Sequence, residues 1–126
     1  MSLSSLPPET ILYPRIGDGW SFLIAITRHG SALSLDGVTL IFTAKASIDD
    51  SDAAAALVKR SGAGITHLPA TGTARLDITA AETTALDAAL GYVWDIQGID
   101  AGGQPFTPDG HFGRIYPQPQ VTRSLS

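Results

Sequence analysis

Trp20-Ser21-Phe22-Leu23-Ile24-Ala25-Ile26-Thr27-Arg28 is the stretch that decides the fold. In an extended chain Trp20, Phe22, Ile24 and Ile26 fall on one side and Ser21, Leu23, Ala25 and Thr27 on the other. One face is strongly apolar and one mixed, as expected of a strand in a two-layer protein. Two later blocks repeat the pattern. Val38, Leu40, Phe42 and Ala44 oppose Thr39, Ile41, Thr43 and Lys45, and Tyr92, Trp94 and Ile96 oppose Val93, Asp95 and Gln97. Turns punctuate them: Gly17-Asp18-Gly19, a break at His29-Gly30-Ser31, and Leu35-Asp36-Gly37, where Asp bonds its own backbone and Gly supplies positive φ.

Outward from these blocks, Ile11-Leu12-Tyr13 reads as a short strand interrupted by Pro14, a residue confined to edges and bulges. Ile65 to Leu68 reads as another, ending at Pro69. Ala74, Leu76 and Ile78 alternate with Arg75, Asp77 and Thr79 in a half-buried strand. Ala101-Gly102-Gly103 forms a hairpin-like loop from which Phe112 to Tyr116 returns, before Pro117 and Pro119 release the tail. Two short helices are predicted. Asp49, Asp50 and Asp52 precede Ala53 to Val58 and Lys59-Arg60, acids first and bases last, which suits a helix dipole. Thr79-Ala80-Ala81-Glu82 is a capping box opening a helix from Ala80 to about Leu90, stopped by Gly91. About seven strands with one or two short helices describe an all-β sandwich.

At 126 residues the chain has the length of one domain. Its expected layout is a flexible arm over 1–9, a folded domain over 10–117 and a tail over 118–126. A hydrophobic share of 44% against 16% charged residues excludes wholesale disorder. The longest apolar runs, Phe22 to Ile26 and Ala53 to Val58, fall far short of the roughly 20 residues of a membrane span. Met1 to Pro8 has neither the basic start nor the apolar core of a secretory leader. With no cysteine there is no thiol chemistry, which leaves the cytoplasm as the expected place of synthesis. A net charge of −4 and scattered single cations argue against nucleic acid as a partner. No repeat suggests a solenoid.

No reactive constellation emerges, so neither an enzyme nor a cofactor or metal site is expected. His29, His67 and His111 lack the spacing of metal ligands. Asp109-Gly110-His111 with Ser31 or Ser124 has no nucleophile elbow around it. Asp49, Asp50 and Asp52 lack the Gly and terminal Glu of a calcium loop, and helix capping explains them better. Gly62-Ala63-Gly64 and Gly102-Gly103 read as turns, too short for phosphate cradles. Asp95 is placed on the solvent face by the period of two; facing inward it would need Arg75 or Arg114. Trp20 and Trp94 read as core, with stacking on a sugar ring as the alternative.

Taken together, the blocks resemble phage and prophage tail or baseplate proteins with a small immunoglobulin-like domain. The resemblance spans about residues 16 to 123. It is carried by Gly17-Asp18 ahead of Trp20, by Leu35-Asp36-Gly37-Val38-Thr39-Leu40-Ile41-Phe42, and by Leu76-Asp77-Ile78-Thr79-Ala80-Ala81-Glu82. Tyr92-Val93-Trp94-Asp95-Ile96-Gln97, Gly110-His111-Phe112 and Val121-Thr122-Arg123 complete it. It implies an immunoglobulin-like sandwich without catalytic residues, a structural or adaptor part of a virion or tail-like particle. Its partners would be other tail or virion proteins or further copies of itself. The interaction surface is expected at Ile11, Tyr13 and Arg15 on an edge strand and at Tyr116 and Arg123 in the tail, where exposed backbone groups can pair. The alternative is a carbohydrate- or ligand-binding module.

Overall fold

In the computed structural model, which describes residues 3–5, 10–47, 49–51, 55–69, 71–87, 89–108 and 112–119, the period of two becomes burial. In β3 (Trp20–Ala25) Phe22 and Ile24 are buried; in β6 (Thr39–Lys45) Leu40, Phe42 and Ala44. Likewise Ala74, Leu76 and Ile78 of β9 (Thr73–Ile78) and Tyr92, Trp94 and Ile96 of β10 (Tyr92–Ile99) point inward. These side chains form one core with Leu12, Ile65 and Ile115. The remaining strands are β1 (Leu3–Ser5), β2 (Thr10–Leu12), β7 (Leu57–Ser61), β8 (Gly64–His67), β11 (Pro105–Phe106) and β12 (Phe112–Ile115). All ten join one sheet in the order β1-β3-β9-β8-β7-β6-β10-β12-β2, with β11 also on β10. The chain is all-β as expected, one sheet folding over itself so that its two halves share an interior.

The two terminal strands of that order, β1 and β2, follow one another in sequence with residues 6–9 between them. An extended chain of that length reaches roughly 18 Å, so the two edges of the sheet lie close together. Leu3–Ser5, expected to be loose, instead pairs in parallel with Ser21, Phe22 and Leu23. β2 pairs in parallel with β12, and the pairing runs past Pro117: Tyr116 N–H donates to Leu12 O and Gln118 N–H to Pro14 O, both at 2.8 Å.

The long first strand breaks at Ile26, whose N–H donates to Gly72 O at 2.7 Å. Beyond it, β4 (Thr27–Arg28) and β5 (Ser31–Ala32) form a separate hairpin. The predicted break at His29-Gly30 is its two-residue tip, with φ of 54° and 81° matching the twist that joins antiparallel strands. Arg28 docks this hairpin on the β10–β11 turn, lying 4.8 Å from the Phe106 ring centroid and 3.9 Å from Asp100. Phe106 in turn covers Gly98, its cross-strand partner. A Cβ on Gly98 would overlap that ring. Gly98→Ala is therefore expected to cost about 1–3 kcal/mol of packing strain, a fall of roughly 4–12 °C in Tm measured by thermal melting.

Both predicted helices need correction. Residues 57–61 form strand β7, antiparallel to β6, with Leu57 and Lys59 inward and Val58 and Arg60 outward. Asp52, Ala53 and Ala54 lie outside the described residues. Asp50 accepts from Ser47 N–H in a turn and caps no helix. Lys59 is not a helix-terminal base; its ammonium is buried and pairs with Glu82. The second helix, α1 (Ala80–Thr84), has the expected capping box: Thr79 Oγ1 accepts from Glu82 N–H at 3.2 Å and Glu82 Oε1 from Thr79 N–H at 2.8 Å.

α1 ends five residues in, not at Leu90. Leu86 turns into the core while Leu90 stays 45% exposed. Buried Thr83 fixes the turn before β3, its hydroxyl donating to Asp18 O at 2.9 Å. Beyond the helix, Asp87 N–H donates to the Tyr92 hydroxyl at 2.9 Å, pinning the corner that leads into β10. Tyr92→Phe leaves that amide without its acceptor. The expected loss is about 1–2 kcal/mol, seen as a lower urea midpoint at unchanged slope.

Candidate functional site

Two surfaces stand out. The first is the β2–β12 edge. Tyr13, 55% exposed, stacks on Tyr116 with ring centroids 6.0 Å apart, and the Tyr116 ring lies against Gly91. Arg15 Nη1 donates to Pro119 O at 3.0 Å, and Arg15 bridges Gln118 in parallel pairing. The structure thus brings together Tyr13, Arg15 and Tyr116 from opposite ends of the chain. Ile11 sits on β2 in register with Arg114, while Arg123 lies outside the described residues. Pro14 keeps β2 at an edge, and its second edge carries no strand among the described residues.

Sequence reading did not single out the second surface. On the outer face of β7, β6, β10 and β12 lies a groove of about 690 Å³. Cross-strand register builds it: Arg114, Val93 and Lys45 form one row, and Gln97, Ile41 and Arg60 another. Val58, Thr43 and Asp95 align between those rows. Asp95 faces outward as the period of two required, half-buried, and accepts from Gln97 Nε2 at 3.2 Å. Lys45 Nζ donates to Asp50 O at 3.0 Å. Neither the Arg60 nor the Arg114 guanidinium has an ion pair or hydrogen bond among the described residues.

Among the described residues the candidate reactive groups do not converge. Ser61 Oγ accepts from Leu40 N–H at 2.8 Å and lies 2.7 Å from His67 Nε2, a pair that ties the β7–β8 coil to β6. His29 stands at its hairpin tip; Asp109, His111 and Ser124 lie outside the described residues. Among the described residues no histidine pairs with a carboxylate and no three potential ligands gather for a metal. Two carboxyls are held below their ordinary values. For Asp77 the Ser21 hydroxyl, donating at 2.5 Å, is the largest influence; Arg75 adds to it against the opposing effect of burial. For Glu82 burial pushes the carboxyl up, but hydrogen bonds from Lys59 and Thr79 together bring it down.

The geometry defines an all-β domain with an aromatic strand edge and an outward groove. No family model matches the chain, and no curated protein matches it. Among solved structures it is similar to the N-terminal domain of phage TP901-1 ORF48, with a TM-score of 0.44 and 14% identity, over 94% of this chain and 93% of that one. No helix among the described residues is long and apolar enough to cross a membrane.

Proposed function

We propose that the chain is a non-enzymatic structural or adaptor component of a phage-like tail or baseplate particle, holding its neighbours through protein–protein contacts. The carrying observation is the β2–β12 edge, where an exposed tyrosine stack sits beside strand backbone that has no further strand partner among the described residues. The resemblance in sequence supports the same reading. So does an immunoglobulin-like reading of the fold. We read the strand order as two such sheets joined through β7 and β8, and the bond from Asp87 N–H to the Tyr92 hydroxyl as the corner at the start of the corresponding strand. The parallel pairing of β1 departs from it.

A sugar-binding module would need Tyr92, Trp94, Trp20 or Tyr116 open in a concave patch. Tyr92 and Trp94 are buried, Trp20 is half-buried against Phe22, and Tyr116, 36% exposed, is stacked on Tyr13. The test is sedimentation of tail-like particles from cells that produce the chain, with the chain followed by antibody. The intact chain is expected in the particle fraction at fixed copy number, and a Tyr13→Asp variant that keeps its circular dichroism is expected to fall out of it. Recovery of the intact chain only as free protein would overturn the proposal.

A further inference from the structure

We propose that the outer groove across β7, β6, β10 and β12 receives an extended acidic segment of a partner protein, its carboxylates on Arg60 and Arg114 and apolar side chains between them. This deepens the reading above by naming the chemistry of one partner, and it rests on that reading. A strand with one face in the core ordinarily turns polar residues outward. Here Ile41, Val58 and Val93 turn outward as well, and Val58 is 41% exposed. The groove therefore has an apolar floor that the described residues leave uncovered.

Charge identifies the occupant. The groove carries Lys45, Arg60 and Arg114 against the single carboxylate of Asp95, in a chain whose formal net charge is −4. Asp95 is engaged by Gln97, whereas both guanidinium groups are unpaired among the described residues. Guanidinium groups suit carboxylates, which they can bind with two parallel hydrogen bonds. Cations this few, set around apolar side chains, do not make the continuous track that a phosphate backbone requires.

Spacing defines the segment. Arg60 and Arg114 stand on the outermost of four strands, three strand spacings or about 14 Å apart across the sheet and four residues or about 13 Å apart along it, which makes roughly 20 Å on the diagonal. An extended chain advances about 20 Å in six residues and turns positions i, i+2, i+4 and i+6 to one side. Acidic residues at i and i+6 would reach the two arginines, with apolar residues at i+2 and i+4 over Val93 and Ile41.

The test is titration of the isotope-labelled full chain with the peptide acetyl-Glu-Thr-Val-Thr-Val-Thr-Glu-amide, followed by amide shifts, beside its counterpart with lysine in place of both glutamates. The acidic peptide is expected to shift amides on β6, β7, β10 and β12. Binding should weaken with salt and fall at least about tenfold in an Arg60→Glu, Arg114→Glu double variant, equivalent to about 1.4 kcal/mol. Tyr13→Asp should leave the titration unchanged, which separates failure here from failure of the edge reading. The inference is overturned if the lysine peptide or a single-stranded oligonucleotide binds as well. Shifts elsewhere, or shifts at the groove that track protein concentration without peptide and mark a second copy as its cover, would also overturn it.

Discussion

Phe42→Ala is expected to lower the unfolding free energy by about 3–5 kcal/mol, a fall of roughly 12–20 °C in Tm for a domain of this size. Phe42 is fully buried at the centre of β6 and stacks on Trp94 of β10 with centroids 5.5 Å apart at 27°. The pair holds together the two strands that form the middle of one half of the sheet, and removing the ring leaves a void within a fully buried layer. A double-mutant cycle with Trp94 should return a coupling of about 0.5–1.5 kcal/mol. Trp94→Phe should cost less than its loss of volume suggests, because the buried indole Nε1 has no acceptor among the described residues and its removal gives up no hydrogen bond. Tyr13→Ala, on the exposed stack, is the control, with an expected change of about 0.5 kcal/mol or less. A loss below about 1 kcal/mol for Phe42→Ala, measured by chemical denaturation, would mean that the interior does not close around this ring.

Glu82→Ala is expected to cost about 3–5 kcal/mol, because it leaves the Lys59 ammonium in the interior without its counter-charge. Lys59→Met, which removes the buried charge itself, should come out close to neutral. Glu82 also closes the capping box, so Thr79→Ala, at about 1 kcal/mol, measures that share separately. The acid dependence follows from the same carboxyls. Glu82 and Asp77 have folded values below their ordinary 4.5 and 3.8. The unfolded chain therefore binds protons first. The stability they contribute is fully present above those ordinary values and is lost as pH falls through the folded ones. Unfolding free energy should be level at neutral pH and decline below about pH 4.5, less steeply in Glu82→Ala and in Lys59→Met. An unchanged acid limb in both variants would show that the pair does not contribute.

The alternation at Phe22 and Ile24, Leu40 and Phe42, and Trp94 and Ile96 was legible because each of those strands has a continuous apolar side. β7 was not, because its inward residues are Leu57 and Lys59, and a lysine at a core position reads as polar until its partner on α1 is known. The capping box was local and therefore visible; the early end of α1 depends on the Tyr92 hydroxyl taking the Asp87 amide, which no helical periodicity contains. At the β2–β12 edge, Tyr13, Arg15 and Tyr116 could be picked as exposed positions near the two ends of the chain, yet only parallel pairing makes them neighbours. The groove is a product of register. Ile41, Val58 and Val93 are unremarkable strand residues singly, and they become a floor only when four strands align them.

The direction of β2 against β12 has a mechanical consequence. Because the strands run the same way and belong to opposite ends of the chain, tension between those ends drags one past the other lengthwise. The bonds from Tyr116 to Leu12, Gln118 to Pro14 and Ile16 to Gln118 then bear the load together and must rupture in concert. Stretched through its termini, the domain meets force with its stiffest geometry.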